Sequence, residues 1–334
     1  MAEIIRPWGI IPETILLANP RGQCAGVIRT VEFIEGEAIK AREEGKPGPT
    51  VVGQPIHNEY EIARLKALGV RVVEPEDLAS IPQGSRTIFR AHGTPPYQFK
   101  LADELGLDWA NTACPYVMTR QRIVWQRASQ NGSYVIDISK RGHPEQLAVY
   151  GVAPDRVYPV EDIDQARNLQ LPNDHTERGI IITNQTTLST TETEATRSAL
   201  CKIFPHAVIV DGICHATDDR QEAVRFLAKK AGKFLVVTGT RSHNGKMLGK
   251  TSWQEGTPAQ LIAGWQDLSP EMYGTQVVAV TSAASTPEVL VEGVVNFFWQ
   301  MGVQDIREDG LAELVERERR IRFAPVEKNP RKIF

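Results

Sequence analysis

Short apolar, β-branched runs alternate with amphipathic stretches along almost the whole chain. Three segments share one order of parts: an apolar run, a turn, a cysteine and then an amphipathic stretch. They are TILLANPRGQCAGVIRTVEFIEGEAI around Cys24, WANTACPYVMTRQRIVWQRA around Cys114 and AVIVDGICHATDDRQEAVRFLAKK around Cys214, with the cysteines 90 and 100 residues apart. Two further units follow each cysteine segment. After Cys24 these are TVVGQPIHNEYEIARLKALG and RTIFRAHGTPPYQFKLADELG. After Cys114 they are YVIDISKRGHPEQLAVYG and GIIITNQTTLSTTETEATRSALC, and after Cys214 FLVVTGTRSHNGKMLGK and QVVAVTSAASTPEVLVEGVVNFFW. Each unit is a strand-like run ending in polar or small residues, then a helix-like stretch, which predicts βα units with parallel strands. Polar residues at the carboxyl ends of strands stand where open α/β sheets hold ligands.

The repetition predicts an α/β fold of three similar lobes with parallel sheets around a central site, pseudo-threefold and trefoil-like. Each lobe is read as a cysteine unit followed by two polar-tipped units, over residues 1–106, 107–206 and 207–303. The axis would bring three strand-end cysteines to one centre. Residues 304–334 are more charged and read as a C-terminal helix and tail lying over another lobe, or as a partly disordered tail.

Composition narrows the classes. The 334 residues are 41% hydrophobic and 24% charged with a formal net charge of -3, so nothing advertises nucleic acid. No apolar run is long enough to span a bilayer, and the N-terminal stretch lacks the form of a secretory or transit peptide, so the expected location is the cytoplasm. Four cysteines without a CxxC pair make neither a disulfide framework nor a zinc ribbon. Cys24, Cys114 and Cys214 each fall at a strand-to-helix turn, where backbone amides and the helix dipole favour thiolate. Three thiolates suit zinc or an Fe–S cluster, and the alternative is that all are inert core residues. A four-iron cluster normally takes four cysteines, so three would leave one iron with an open position, as a Lewis acid needs. Cys201, in ATRSALCKIF, lies on an apolar helix face and reads as core.

NPRGQCAGV, IHNEY, AHGTPP, TACPYV, GHPEQL, NQTTLS, DGICHATDDRQEAV and SAASTPEVLV, in this order between about residues 15 and 300, resemble the successive motifs of the 4-hydroxy-3-methylbut-2-enyl diphosphate reductase (LytB/IspH) family. The resemblance implies one [4Fe–4S] cluster on Cys24, Cys114 and Cys214. It also implies reductive loss of a substrate hydroxyl, giving isopentenyl and dimethylallyl diphosphates, with ferredoxin or flavodoxin as electron donor. His57, His92 and His143 match the family's substrate-pocket histidines, and Glu145 its acid, which is read as catalytic together with His143 and Thr186. Thr186 and Thr187 match a pair of which the first stands near the substrate hydroxyl, and Ser285 matches a diphosphate ligand. Each position also has an ordinary reading: strand-end packing for the histidines, and helix capping for Glu145 beside Pro144, for the threonines and for Ser285 before Pro287.

The chain departs from the family pattern most in its third lobe, where Ser242-His243-Asn244 stands for the usual Ser-Ser-Asn. That substitution sets an imidazole between Arg241 and Lys246 and predicts a more basic or reshaped diphosphate pocket. Gln23 and Asn111-Thr112-Ala113 are smaller departures beside the first and second cysteines. The alternatives are therefore a paralogue acting on another allylic substrate, a non-catalytic Fe–S sensor, and a zinc protein. The ligand set is the most exposed expectation: Cys24→Ser, Cys114→Ser and Cys214→Ser each lose bound iron and turnover, while Cys201→Ser changes little. Iron and sulfide assays of the four variants check this, and equal losses at all four would refute it.

Overall fold

The computed structural model describes residues 10–210, 212, 214–310 and 326–328. β1 (Thr14–Asn19) leads through the Cys24 turn into α1 (Ala25–Glu43), followed by β2 (Thr50–Val52), α2 (Glu59–Ala67), β3 (Arg71–Val73), β4 (Arg86–Phe89) and α3 (Pro96–Glu104). β5 (Asp108–Asn111) leads through Cys114 into α4 (Pro115–Val124). Next come β6 (Tyr134–Ile138), α5 (Pro144–Tyr150), β7 (Val157–Val160), α6 (Ile163–Asn168), α7 (His175–Arg178), β8 (Ile180–Asn184) and α8 (Thr190–Ile203). β9 (Val208–Ile209) precedes Cys214 and α9 (His215–Ala228), and β10 (Lys233–Val237), α10 (His243–Gln254), β11 (Ala259–Ile262) and α11 (Pro270–Tyr273) follow. The last elements are β12 (Val277–Ser282), α12 (Glu288–Gln300), β13 (Asp305–Gly310) and β14 (Glu327–Lys328).

The strands form three sheets, in the orders β11-β10-β12-β1-β13, β14-β5-β4-β2-β3 and β7-β6-β8-β9. Every described pairing is parallel except that of β14 with β5. Without the added edges β13 and β14, the orders β3-β2-β4-β5, β7-β6-β8-β9 and β11-β10-β12-β1 are the same pattern three times over. The repeat expected from the sequence is therefore present as α/β units with parallel sheets.

Sheet membership runs one strand later than the boundaries at residues 107 and 207. β1 pairs with β12, β5 with β4 and β9 with β8, so each cysteine strand closes a sheet rather than opening one. The physical reason is that an apolar run records that a strand is buried but not which neighbour completes its hydrogen bonds. The described parts of segment 304–334 include two strands, β13 on the edge of β1 and β14 on the edge of β5. The rest of that expected helix and tail lies outside the described residues.

The chain divides into two compact units. One contains the sheet of β1 and β10–β13 with the segment Ile56–Arg64, and the other contains the two remaining sheets. In the first unit, Ile15, Leu17, Leu235, Val237, Val278 and Val280 pack on one face with Val291, Val294 and Phe298 of α12. Leu16, Ala18, Phe234, Val236 and Ala279 pack on the other face with α9 and Leu248 of α10. Successive side chains point to opposite faces, so a sheet covered by helices on both sides must be apolar throughout. In the second unit, Ile136, Ile138, Ile180 and Ile182 face α6 and α8, while Val135 and Ile181 face Val124 of α4 and Val149 of α5.

The second unit's other sheet packs its Val52 and Phe89 with Phe99 and Trp109. Trp109 is only 1% exposed, lies 4.9 Å from Phe99 in a stacked arrangement, and donates from Nε1 to Asp103 Oδ1 at 2.8 Å. Trp109→Ala leaves a cavity and an abandoned acceptor, and is expected to cost about 3–5 kcal/mol in chemical denaturation. A loss below about 1 kcal/mol, the ordinary size for a surface change, would contradict this packing.

Candidate active site

The tips of the three cysteine strands are built alike. The Cys24 N–H donates to Ala284 O, Cys114 N–H to Ala91 O and Cys214 N–H to Thr186 O, each at 2.9 Å. In every case the acceptor lies in the loop after the neighbouring parallel strand, β12, β4 or β8. A helix starts directly after each cysteine, and Cys114 is the N-cap of α4. All four cysteines are half-buried; Cys201 packs against the core of β6 and β8. Among the described residues, no three His, Cys, Asp or Glu side chains are grouped as a metal cage.

In the first unit, the loop before Cys24 is pinned by polar groups. Gly22 N–H donates to Ser282 Oγ at 2.8 Å, and Arg220, buried in α9, donates from Nε and Nη2 to Gly22 O at 3.1 and 2.9 Å. Gly22 has φ +72°, and a Cβ there would stand 3.1 Å from Glu288 Oε2, so both backbone and space call for glycine. Ser242 caps α10 by accepting from Gly245 N–H at 3.1 Å. Asn244 Oδ1 accepts from Ala284 N–H at 2.9 Å, while its Nδ2 is buried with no hydrogen-bond partner among the described residues. Ser285 Oγ donates to His57 O at 3.0 Å. His57, Ser242, Asn244 and Ser285 thus share this unit's strand-end loops with Cys24. His243 is half-buried in the first turn of α10, whereas Arg241 and Lys246 are exposed.

In the second unit, His92 and His143 meet edge to face with ring centroids 5.7 Å apart. The turn at Gly93 has φ +87°, and a Cβ there would come within 2.8 Å of Val117 Cγ1 and 3.2 Å of Ala148 Cβ, so glycine lets this loop pass between α4 and α5. His143 is the N-cap of α5: its Nδ1 accepts from Glu145 N–H at 3.1 Å. In the neutral ring that bond puts the proton on Nε2, so capping and donation by the same imidazole coexist.

Glu145 has no exposed surface. Its Oε1 accepts from Thr186 N–H at 2.7 Å and from Arg120 Nη1 at 2.8 Å, and its Oε2 lies 2.9 Å from Thr186 Oγ1. Arg120 also donates from Nη2 to Asp137 Oδ1, and Asp137 Oδ2 accepts from Ser139 Oγ at 2.8 Å. Burial pushes both carboxyls above the usual carboxylate range, against the opposing pull of Arg120. Thr187 is tied to Gln185, which donates from Nε2 to Thr187 Oγ1 at 2.6 Å.

The sequence reading did not single out Arg120 or Asp137. Asp137 was visible as the one polar residue inside the apolar run YVIDI, a charge at a core position. Arg120 carried no such mark, because an arginine on an amphipathic helix ordinarily reads as solvated.

Comparison with known proteins extends this geometry. The family model described as LytB protein matches residues 15–298. A protein of Tolumonas auensis named 4-hydroxy-3-methylbut-2-enyl diphosphate reductase is 37% identical over 306 residues, covering 90% of this chain and 96% of its own. A Glaesserella parasuis protein of the same name is 36% identical over 300 residues, covering 88% and 92%. Among solved structures, the Plasmodium falciparum E-1-hydroxy-2-methyl-but-2-enyl-4-diphosphate reductase aligns with a TM-score of 0.81 at 29% identity, over 90% of this chain and 93% of that one. A second, described as (E)-4-hydroxy-3-methyl-but-2-enyl diphosphate reductase, the terminal enzyme of the non-mevalonate pathway, aligns with a TM-score of 0.64 at 26% identity, over 86% and 99%. With a family model matched over residues 15–298, from β1 into α12, and relatives matched over most of their length, the chain belongs to the LytB protein family.

Proposed function

We propose that this protein is an oxidoreductase that converts 4-hydroxy-3-methylbut-2-enyl diphosphate into isopentenyl and dimethylallyl diphosphates. Family membership supports the reaction, and the observation that carries it is the buried Glu145 carboxyl held against the Thr186 hydroxyl. Members of the family are generally iron–sulfur dependent. The donor set here fits that chemistry: three soft sulfur ligands at equivalent strand ends, each half-buried and heading a helix. Cys24, Cys114 and Cys214 are the proposed ligands of one [4Fe–4S] cluster. Such a group, when bound, would supply electrons and Lewis-acid polarisation of the departing hydroxyl.

The remaining work falls to the chain's own side chains. Glu145, whose burial favours the protonated carboxyl, gives its proton through Oε2 toward Thr186 Oγ1, whose hydroxyl can pass its own proton on. His143 Nε2–H, with His57 and His92, donates to diphosphate or hydroxyl oxygens. Ser242, Asn244 and Ser285 are the proposed diphosphate contacts, and the buried Asn244 Nδ2 is a donor suited to an acceptor of this kind. Thr187 contributes through its loop. Ferredoxin or flavodoxin is the proposed electron donor and the cytoplasm the proposed location; among the described residues no helix is long and apolar enough to cross a membrane.

One observation favours a second reading. His243, half-buried at the head of α10 between Ser242 and Asn244, is a bulky donor beside the proposed diphosphate contacts. It would suit a differently shaped allylic diphosphate. The test is anaerobic turnover of 4-hydroxy-3-methylbut-2-enyl diphosphate with a chemical reductant, on reconstituted protein whose iron and sulfide have been assayed. Formation of isopentenyl and dimethylallyl diphosphates is the expected outcome. Bound iron without turnover would move the assignment to another allylic substrate. In the same assay Glu145→Gln is expected to keep its iron and KM but lose about 100-fold or more in kcat, the usual worth of a general acid. Near-normal turnover would remove Glu145 from the mechanism.

A further inference from the structure

Glu145 does not stand alone in its cavity; it ends a line of buried charge that reaches β6. Arg120 lies on α4, six residues after Cys114 and about 9 Å further along the helix axis. Its guanidinium bridges two carboxyls, Nη1 to Glu145 Oε1 at 2.8 Å and Nη2 to Asp137 Oδ1, while its Nε has no partner among the described residues. The three side chains are 2%, 0% and 0% exposed. Gly212 passes close by: a Cβ there would come within 2.5 Å of Asn184 O and 3.3 Å of Arg120 Cδ.

The charge count decides what this arrangement does. One guanidinium against two ionised carboxyls leaves one uncompensated negative charge, which a site closed to water resists strongly. The trio is relieved by taking up one proton. Both outer ends can accommodate it: Glu145 Oε2 faces Thr186 Oγ1, and Asp137 Oδ2 faces Ser139 Oγ, hydroxyls that accept as readily as they donate. With Asp137 absent, Arg120 would pair with Glu145 alone and hold it ionised. With Asp137 present, the arginine's charge is already answered, so Glu145 is at liberty to be the acid.

We propose that Asp137 and Arg120 are positioning residues that set the proton occupancy of Glu145. Asp137 offsets the guanidinium so that Glu145 rests protonated, and Arg120 stands ready to receive the carboxylate left when the proton departs. The step conserves protons: Glu145 loses one at Oε2, Thr186 Oγ1 relays one and is left whole, and the new negative charge falls 2.8 Å or less from groups already aligned on Oε1. This deepens the reductase reading and depends on it only for the proton's final destination.

Among the described residues, the elements packed around Glu145 present the following groups. α4 presents Arg120, with Cys114 at the far end of the helix and Arg122 exposed. β6 presents Asp137, the head of α5 presents His143, and the loop after β8 presents Thr186. β7, also packed on α5, carries Tyr158, whose ring meets Tyr134 edge to face.

The test is a pH titration of the protonated-carboxyl infrared band that disappears in Glu145→Gln, taken without substrate, beside the pH profile of kcat. An acid with a raised folded value is protonated at low pH and lost as pH rises through that value. Asp137→Asn, nearly isosteric, is expected to move both the band and the alkaline limb of kcat to lower pH by about one unit or more, a tenfold fall in protonated Glu145 at a fixed pH above it. The double variant Asp137→Asn/Arg120→Met removes both charges and is expected to return the band to wild-type pH or higher, which loss of packing alone would not do. A band unmoved by Asp137→Asn, or moved upward, or not restored in the double variant, overturns the proposal. Because the band needs no turnover, a wrong substrate would silence the kcat profile and leave this result standing.

Discussion

The hydrogen bond from each cysteine N–H to the loop of the neighbouring parallel strand fixes the level at which the three cysteine turns begin. Parallel strands in register present their carboxyl ends on one edge of the sheet, and that bond ties the cysteine turn to the adjacent polar tip. The Cys214 N–H is held by Thr186, the Cys114 N–H by the residue before His92, and the Cys24 N–H by the residue before Ser285. The proposed site residues beside these acceptors are thereby tied to the cysteine turns through backbone hydrogen bonds. Sheets apolar on both faces leave the strand ends as the place where polar groups can gather.

Much of this was legible in the order of residues. Apolar runs of β-branched residues followed by amphipathic stretches identified parallel βα units, because a sheet covered on both faces has to be apolar throughout. The partner of each strand was not legible: β1 reads as the start of the chain's first unit, yet its hydrogen bonds go to β12 and β13. Nor did composition distinguish β13 and β14, charged segments that serve as edge strands, where one side of the ladder tolerates polar sequence.

Among the candidate site residues, the capping roles expected at two positions are present in the structure. His143 caps α5 through Nδ1, and that bond orients the ring's other nitrogen as a donor. Ser242 caps α10, and Asn244 in the first turn of that helix accepts from Ala284 in the loop after β12. Glu145 belongs to a helix N-terminus by sequence, but its side-chain hydrogen bonds run to Thr186 and Arg120, partners 41 and 25 residues away. Long-range partners of this kind leave no local signature. The only trace of the buried charges was Asp137 inside YVIDI, a residue whose cost in an apolar strand is offset by Arg120 and Ser139.

We propose that Cys24, Cys114 and Cys214, and not Cys201, would hold a four-iron cluster that serves the reduction. Mössbauer spectroscopy of protein reconstituted anaerobically with iron-57 measures that most directly. The account predicts that about one iron in four differs from the rest, as expected for three thiolate ligands on a four-iron cluster. It further predicts that this component alone changes when 4-hydroxy-3-methylbut-2-enyl diphosphate is added. Four like irons indifferent to the diphosphate, or no cluster at all, would contradict it.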